Sequence, residues 1–191
     1  TATTLSADTT LTTGTGNIQL GAVDGSAANL QNLSLDAGAG GTISFGSTVG
    51  AGTTLRTLTV TNSNGATFTG AVTTGTSVVL SNTTGTIQFT GALVTPTLTT
   101  TGQGYDLNLY GAGTIITNPL TFLNTGAVRL GNAAGDILTF NGGLTTTAPA
   151  GVTLNGVVRT SGDAVVLGDG DTPVTLAGGL STIDTTNRGA N

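Results

Sequence analysis

Hydrophobic and polar residues alternate along this chain in short bursts of apolar-x-apolar, and the bursts keep returning. Ala66-Thr67-Phe68-Thr69-Gly70-Ala71-Val72 and Ile87-Gln88-Phe89-Thr90-Gly91-Ala92-Leu93 are the same sentence written 21 residues apart. Each reads apolar, polar, aromatic, Thr, Gly, Ala, branched aliphatic. Looser copies stand at Ile43-Ser44-Phe45-Gly46, Leu138-Thr139-Phe140-Asn141-Gly142-Gly143-Leu144 and Val174-Thr175-Leu176-Ala177-Gly178-Gly179-Leu180. Alternation with period two describes strands that bury one face.

Aligning the copies predicts a longer unit: a strand, a turn rich in Gly, Asn and Asp, a second strand, then Gly and a branched aliphatic. First strands are expected at Leu33-x-Leu35, Leu58-x-Val60, Val78-x-Leu80, Leu107-x-Leu109, Val128-x-Leu130 and Val165-x-Leu167. Second strands are expected at Ile43-x-Phe45, Ala66-x-Phe68, Ile87-x-Phe89, a degenerate piece at Ile115-Ile116, Leu138-x-Phe140 and Val174-x-Leu176. Further strand-like pieces sit at Ile18-Gln19-Leu20, Leu98 and Val152-Thr153-Leu154. The predicted core is therefore Leu33, Leu35, Phe45, Phe68, Val78, Leu80, Phe89, Leu107, Leu109, Leu130, Phe140, Val174 and Leu176. Outward positions of the first strands are Ser34, Thr59, Val79, Asn108, Arg129 and Val166. Two residues past the last inward position, Asn62, Asn82, Asn132 and Asp169 recur, which suggests stacked corners, because Asn and Asp accept left-handed backbone angles.

A period of 20 to 50 residues with short strands marks a solenoid or a propeller. Propeller blades need about 40 residues and four strands, whereas this unit is near half that length. The expectation is an all-β, parallel, right-handed β-helix, or β-solenoid, of about eight or nine coils, with residues 1–191 as one segment. Four successive intervals between first strands are 25, 20, 29 and 21 residues, so the coils are expected to differ at their loops. Pro96 and Pro149, which cannot donate to a ladder, mark the expected bulges.

Composition sharpens this picture. The chain has 32 Gly, no Cys, no His and no Met, and its charged residues are nine Asp and four Arg, without Lys or Glu. Helix-favouring residues are scarce and β-branched ones abundant, which favours strands. A net charge of −5 with dispersed arginines (Arg56, Arg129, Arg159, Arg188) leaves no basic footprint for nucleic acid or an anionic membrane. No apolar run reaches the roughly 18 residues of a membrane span. Missing cysteines exclude a disulfide framework and thiolate zinc sites. The opening Thr1-Ala2-Thr3-Thr4 is neither an initiator Met nor a signal peptide, so the expectation is an excised or mature segment.

The endings Phe-Thr-Gly-Ala-Val, Phe-Thr-Gly-Ala-Leu and Phe-Asn-Gly-Gly-Leu, preceded by pieces such as Leu-Thr-Val-Thr-Asn and Val-Val-Leu-Ser-Asn, resemble the β-solenoid repeats of large secreted bacterial adhesins. Those are the filamentous-haemagglutinin and autotransporter-passenger type, and the resemblance covers about residues 15 to 183. It implies an extracellular, cell-surface rod exported unfolded. The family's secretion-signal domain and translocator barrel have no counterpart in the sequence.

Chemistry-bearing residues are few. Without His, Cys, Lys or Glu, catalysis falls to Asp, Tyr and hydroxyls; Asp163, Asp169 and Asp171 with Arg159 are the nearest enzyme-like set, of a kind that cuts polysaccharides. Asp169-Gly170-Asp171 is the best calcium candidate, although Asp in such a sequence is a common turn residue. The Thr-x-Thr runs Thr57-Leu58-Thr59-Val60-Thr61 and Thr95-Pro96-Thr97-Leu98-Thr99 raise ice binding, but in the alignment above the slot of Thr59 holds Ser34, Val79, Asn108, Arg129 and Val166 elsewhere, which breaks the array. The second-strand slot, with Ser44, Thr67, Gln88, Thr139 and Thr175, is better filled, although outward Thr also follows from β-propensity. Asn32-Leu33-Ser34 and Asn82-Thr83-Thr84 match the glycosylation triplet. Tyr105 and Tyr110 flank Leu107-Leu109, with Tyr110 outward and able to stack on a sugar.

The expected function is mechanical and not enzymatic: a structural rod segment of a bacterial cell-surface adhesin or extracellular fibre, with no cofactor. Expected partners are neighbouring turns or identical subunits stacked end to end, with a host or surface glycan as a further candidate. A ligand-binding solenoid for glycan or ice is the second reading, and a polysaccharide-degrading enzyme the third.

Overall fold

The computed structural model describes residues 2–186, and every regular element among them is a β-strand. All paired strands are parallel. A short strand ending in a corner cannot pair with itself, so each turn sends its N–H and C=O groups to the turns above and below. The chain is thus a parallel β-solenoid, the architecture its periodicity predicts.

Each turn visits three sheets in fixed order. Sheet I stacks Ile18–Leu20, Ile43–Phe45, Ala66–Phe68, Thr86–Phe89, Asp106–Leu109, Val128–Leu130 and the first halves of Val152–Arg159 and Val174–Asp184. Sheet II stacks Thr3–Leu5, Val23–Gly25, a bridge at Val49, the start of Val72–Thr83, Leu93–Thr95, Thr114–Ile116, Ile137–Phe140 and the second halves of the same two long strands. Sheet III holds Thr9–Thr12, Asn32–Asp36, Leu55–Ser63, the rest of Val72–Thr83 and Thr97–Thr99. It continues in Leu120–Thr121, Leu144–Thr146 and Val165–Leu167. Where its ladder skips between Thr99 and Thr121, the Thr100 hydroxyl donates to the Thr121 carbonyl and accepts from the Leu123 N–H at 2.7 Å, so a side chain stitches the two turns. Sheet II counts nine levels, and at about 4.8 Å per level the stack is about 40 Å long.

Register turns the inward residues into columns. In sheet I, Phe45, Phe68 and Phe89 pair in sequence, with ring centroids 5.2 and 4.7 Å apart and planes within 17°. Turn spacing alone brings identical aromatics to stacking distance, which adds about 0.5–1.5 kcal/mol per pair beyond burial. Buried threonines fill other slots and satisfy one another: Thr74 and Thr95 share a hydroxyl bond of 2.8 Å, Ser63 and Thr83 one of 3.1 Å. Leu33, Leu35, Val78, Leu80, Leu107, Leu109, Leu130 and Phe140 are likewise buried. Val174 and Leu176 differ: they continue the inward columns of Val152 and Leu154, yet remain 39% and 66% exposed because no further described turn covers them.

Corners are backbone against backbone. Gly70, Gly91 and Gly111 lie one above another, and a Cβ on Gly91 would sit 2.3 Å from the Gly70 carbonyl carbon. That contact, shorter than any real Cβ makes, explains the Gly of the repeated motif.

Four expectations need correction. Leu107-x-Leu109 and Val128-x-Leu130 belong to sheet I, stacking on Ile87-x-Phe89, not on Val78-x-Leu80; the partner of Val78 is Leu98. Accordingly Asn108 and Arg129 do not share a slot with Thr59, and the 29-residue interval was a slip by one sheet. Phe140 sits over Ile116 in sheet II, not in the column of the other phenylalanines. All three sheets present the same apolar-x-apolar signature, so alignment alone does not separate them.

The prolines occupy corners outside the strands, and the register shifts fall at Leu35/Asp36, Leu55/Thr57 and Leu154/Gly156. Among the expected corner residues, Asn62 and Asn82 stack in register, with Asp36 beneath them, but none of the three is left-handed. Gly131 and Gly168, just before Asn132 and Asp169, take that conformation instead.

Phe68→Ala, in the middle of the aromatic column, is expected to cost about 3–5 kcal/mol in denaturant unfolding. Gly91→Ala is expected to cost about 1–3 kcal/mol by forcing the corner apart, whereas Ala at Gly46, where a Cβ meets nothing within 4 Å, leaves the unfolding midpoint nearly unchanged.

Candidate functional site

With the core closed, function is left to the outward positions and the open end. Sheet I presents Gln19, Ser44, Thr67, Gln88, Asn108, Arg129, Thr153 and Thr175 in its central column. Its middle is an amide ladder, in which Asn108 donates to Gln88 at 3.4 Å and Arg129 to Asn108 at 3.5 Å. Sheet II presents Asp24, Thr73, Val94, Ile115, Thr139, Arg159 and Asp184, a mixture of charge and exposed aliphatic.

Sheet III is different in kind. Thr10, Ser34, Thr59, Val79 and Thr99 follow one another in register, and Thr121, Thr145 and Val166 continue the face. One position earlier on the same side run Asn32, Thr57, Ser77 and Thr97. The Thr57 and Ser77 hydroxyls are 3.3 Å apart, and Asn118 donates to the Thr97 hydroxyl at 2.8 Å. Charge is confined to the N-terminal turns of this face. There Asp8 accepts the Asn32 N–H and amide at 2.8 Å, which holds its carboxyl below the usual range, and Arg56 stands 3.9 Å from it.

The acidic candidates do not converge. Asp169 Oδ1 accepts the N–H groups of Asp171 and Thr172, both at 3.0 Å, so it closes its own turn. Arg159 lies 3.5 Å from Asp184, and it is this carboxylate, not Asp163, Asp169 or Asp171, that forms its ion pair. Among the described residues no group of three or more His, Cys, Asp or Glu is placed to hold a metal ion. Asn32, the first glycosylation candidate, has its amide engaged by Asp8 and its carbonyl by Arg56 at 3.0 Å; Asn82 is exposed. Tyr105 is buried and its hydroxyl accepts the Thr101 N–H at 3.2 Å, while burial pushes its phenol above the usual value. Tyr110 is half-buried beside sheet I. Arg188 lies outside the described residues.

The remaining candidate is the C-terminal end of the stack. Among the described residues Val174–Asp184 pairs with one neighbour, and Val174, Leu176, Leu180 and Ile183 are all at least 39% exposed. These side chains would be core if another turn lay on them. Alternation identifies Val174 and Leu176 as inward, and a terminal turn of a stack is expected to expose such core positions. A comparison with protein-family models, curated proteins and solved structures returns no match.

Asp169→Ala is expected to lower stability by about 1 kcal/mol through the two lost turn bonds, and Asp169→Asn, which keeps the accepting oxygen, by less than half of that. Thermal melts in calcium and in EDTA are expected to superimpose; a calcium-dependent rise that Asp169→Asn abolishes would make this turn a metal site.

Proposed function

We propose that the chain is a structural rod segment of a bacterial cell-surface adhesin or extracellular fibre, working outside the cell and carrying no catalytic site. The observation that carries this reading is the last described turn: apolar residues in core register, exposed on a strand that pairs with one neighbour among the described residues. An edge of this kind is completed by a further parallel turn, from the same polypeptide or from a second copy stacked end to end. The resemblance of the Phe-Thr-Gly-Ala endings to secreted adhesin repeats supports the same assignment.

A rod suits the energetics of the stack. Each turn contributes its own core layer and two interfaces, so length can be added turn by turn at constant cross-section. Acidic net charge, the lack of a basic face and the weak chemistry of the side chains fit a spacer that displays other parts of a larger assembly, with no nucleic acid or membrane insertion in its role. A glycan remains a candidate ligand of the displayed surface.

The test is self-association. Sedimentation velocity is expected to show oligomers that grow with concentration, with filaments of constant width in electron micrographs. Leu176→Asp, which places a charge on the exposed end, is expected to hold the protein monomeric with an unchanged β-sheet circular dichroism spectrum. A wild-type chain that stays monomeric at high concentration would contradict end-to-end assembly.

A further inference from the structure

We propose that the outward face of sheet III binds ice. Its hydroxyl array rests on register: Asn108 and Arg129 stand on sheet I and Thr99 pairs with Val79, so the slot of Thr59 carries Thr10, Ser34 and Thr99 with Val79 interrupting it. In register run Thr10, Ser34, Thr59, Val79 and Thr99, and beyond the skip in the ladder the face goes on as Thr121, Thr145 and Val166; six of these eight described residues are Thr or Ser. Strand propensity does not account for this. Sheet I, built from parallel strands of the same stack, has only four hydroxyls among its eight described central residues, and the rest are Gln, Asn and Arg.

Geometry gives the array its ligand. Hydroxyls repeat about 4.8 Å from turn to turn and about 6.6 Å between alternate residues of one strand. The turn spacing lies close to the repeat of equivalent water oxygens along the a axis of hexagonal ice. Thr is stiff about χ1, so each methyl and hydroxyl is held in place before the ligand arrives. The methyl groups order adjacent water, and the hydroxyls and flanking Thr57, Ser77 and Thr97 join that layer by hydrogen bonds.

Charge and shape favour the same occupant. From Thr57 to Thr145 the outward residues of sheet III include no Asp or Arg, as suits a neutral lattice and not a charged polymer. No aromatic side chain stands in the array to serve as a sugar platform; Tyr110 belongs to the border of sheet I. Large exposed aliphatics, the anchors of a protein interface, are absent from the columns between Thr57 and Thr99, and those beside the C-terminal part of the face, Leu123 and Val166, are isolated from one another in the chain. This inference does not depend on end-to-end assembly, because the face runs along the side of the stack.

The test is thermal hysteresis and ice-crystal shaping by the purified chain, with uptake into a growing ice hemisphere as a second readout. Wild type is expected to shape crystals and to enter the ice. Thr99→Lys and, independently, Thr121→Lys, both at exposed positions, are expected to lose both effects with an unchanged melting temperature. Thr67→Lys on sheet I is expected to keep them. Absence of hysteresis and of ice uptake in the folded wild-type protein would overturn the proposal. So would retention of both effects in the two folded sheet III variants, or activity lost equally with Thr67→Lys.

Discussion

Parallel pairing between turns is the constraint from which the rest follows. A chain folded into flat three-sided turns has no partner for its backbone within a turn, so each ladder bond must reach the level above or below, at a spacing set by the peptide group. That spacing brings like side chains into contact. It makes the phenylalanines of sheet I stack, lets Thr74 and Thr95 satisfy each other, and leaves Gly70, Gly91 and Gly111 no room for a Cβ. The same repeat that builds the core also rules the surface: whatever one turn presents outward, the next can present again a fixed distance away.

Much of the fold is legible in the residues because stacking imposes a period on them. Strand character, the repeat length, the parallel solenoid and almost all of the interior can be read from apolar-x-apolar bursts and the Gly that follows. The assignment of strands to sheets was not legible. Leu98-x-Thr100 contributes only one large apolar residue, so the alignment keeps it as a strand-like piece outside the repeat and gives its level to Leu107-x-Leu109. A triangular solenoid with three similar faces repeats its signature three times per turn, and a single missed strand shifts the following assignments by one face.

That shift decided what could be seen of function. In the slipped register, Asn108 and Arg129 interrupt the threonines of the outward slot; in the structure they form part of an amide ladder on another sheet. The exposed apolar positions of the last described turn were legible in kind, because alternation identifies Val174 and Leu176 as inward and a stack of turns leaves its terminal core positions uncovered. Asp169 was legible as a turn residue, and its bonds to Asp171 and Thr172 are those of a turn.

Register is therefore the claim to test most directly, and a chain without cysteine makes the measurement clean. Two double variants discriminate: Val79→Cys with Thr99→Cys, and Val79→Cys with Asn108→Cys. In-register neighbours on adjacent turns have Cα atoms about 4.8 Å apart, within the roughly 4.4–6.8 Å that a disulfide spans. Under mild oxidation the first pair is expected to close, giving a species of altered mobility on non-reducing gels, while the second stays reduced in the folded protein. Closure of the Val79–Asn108 pair with the Val79–Thr99 pair left open would contradict the three-sided stack described above.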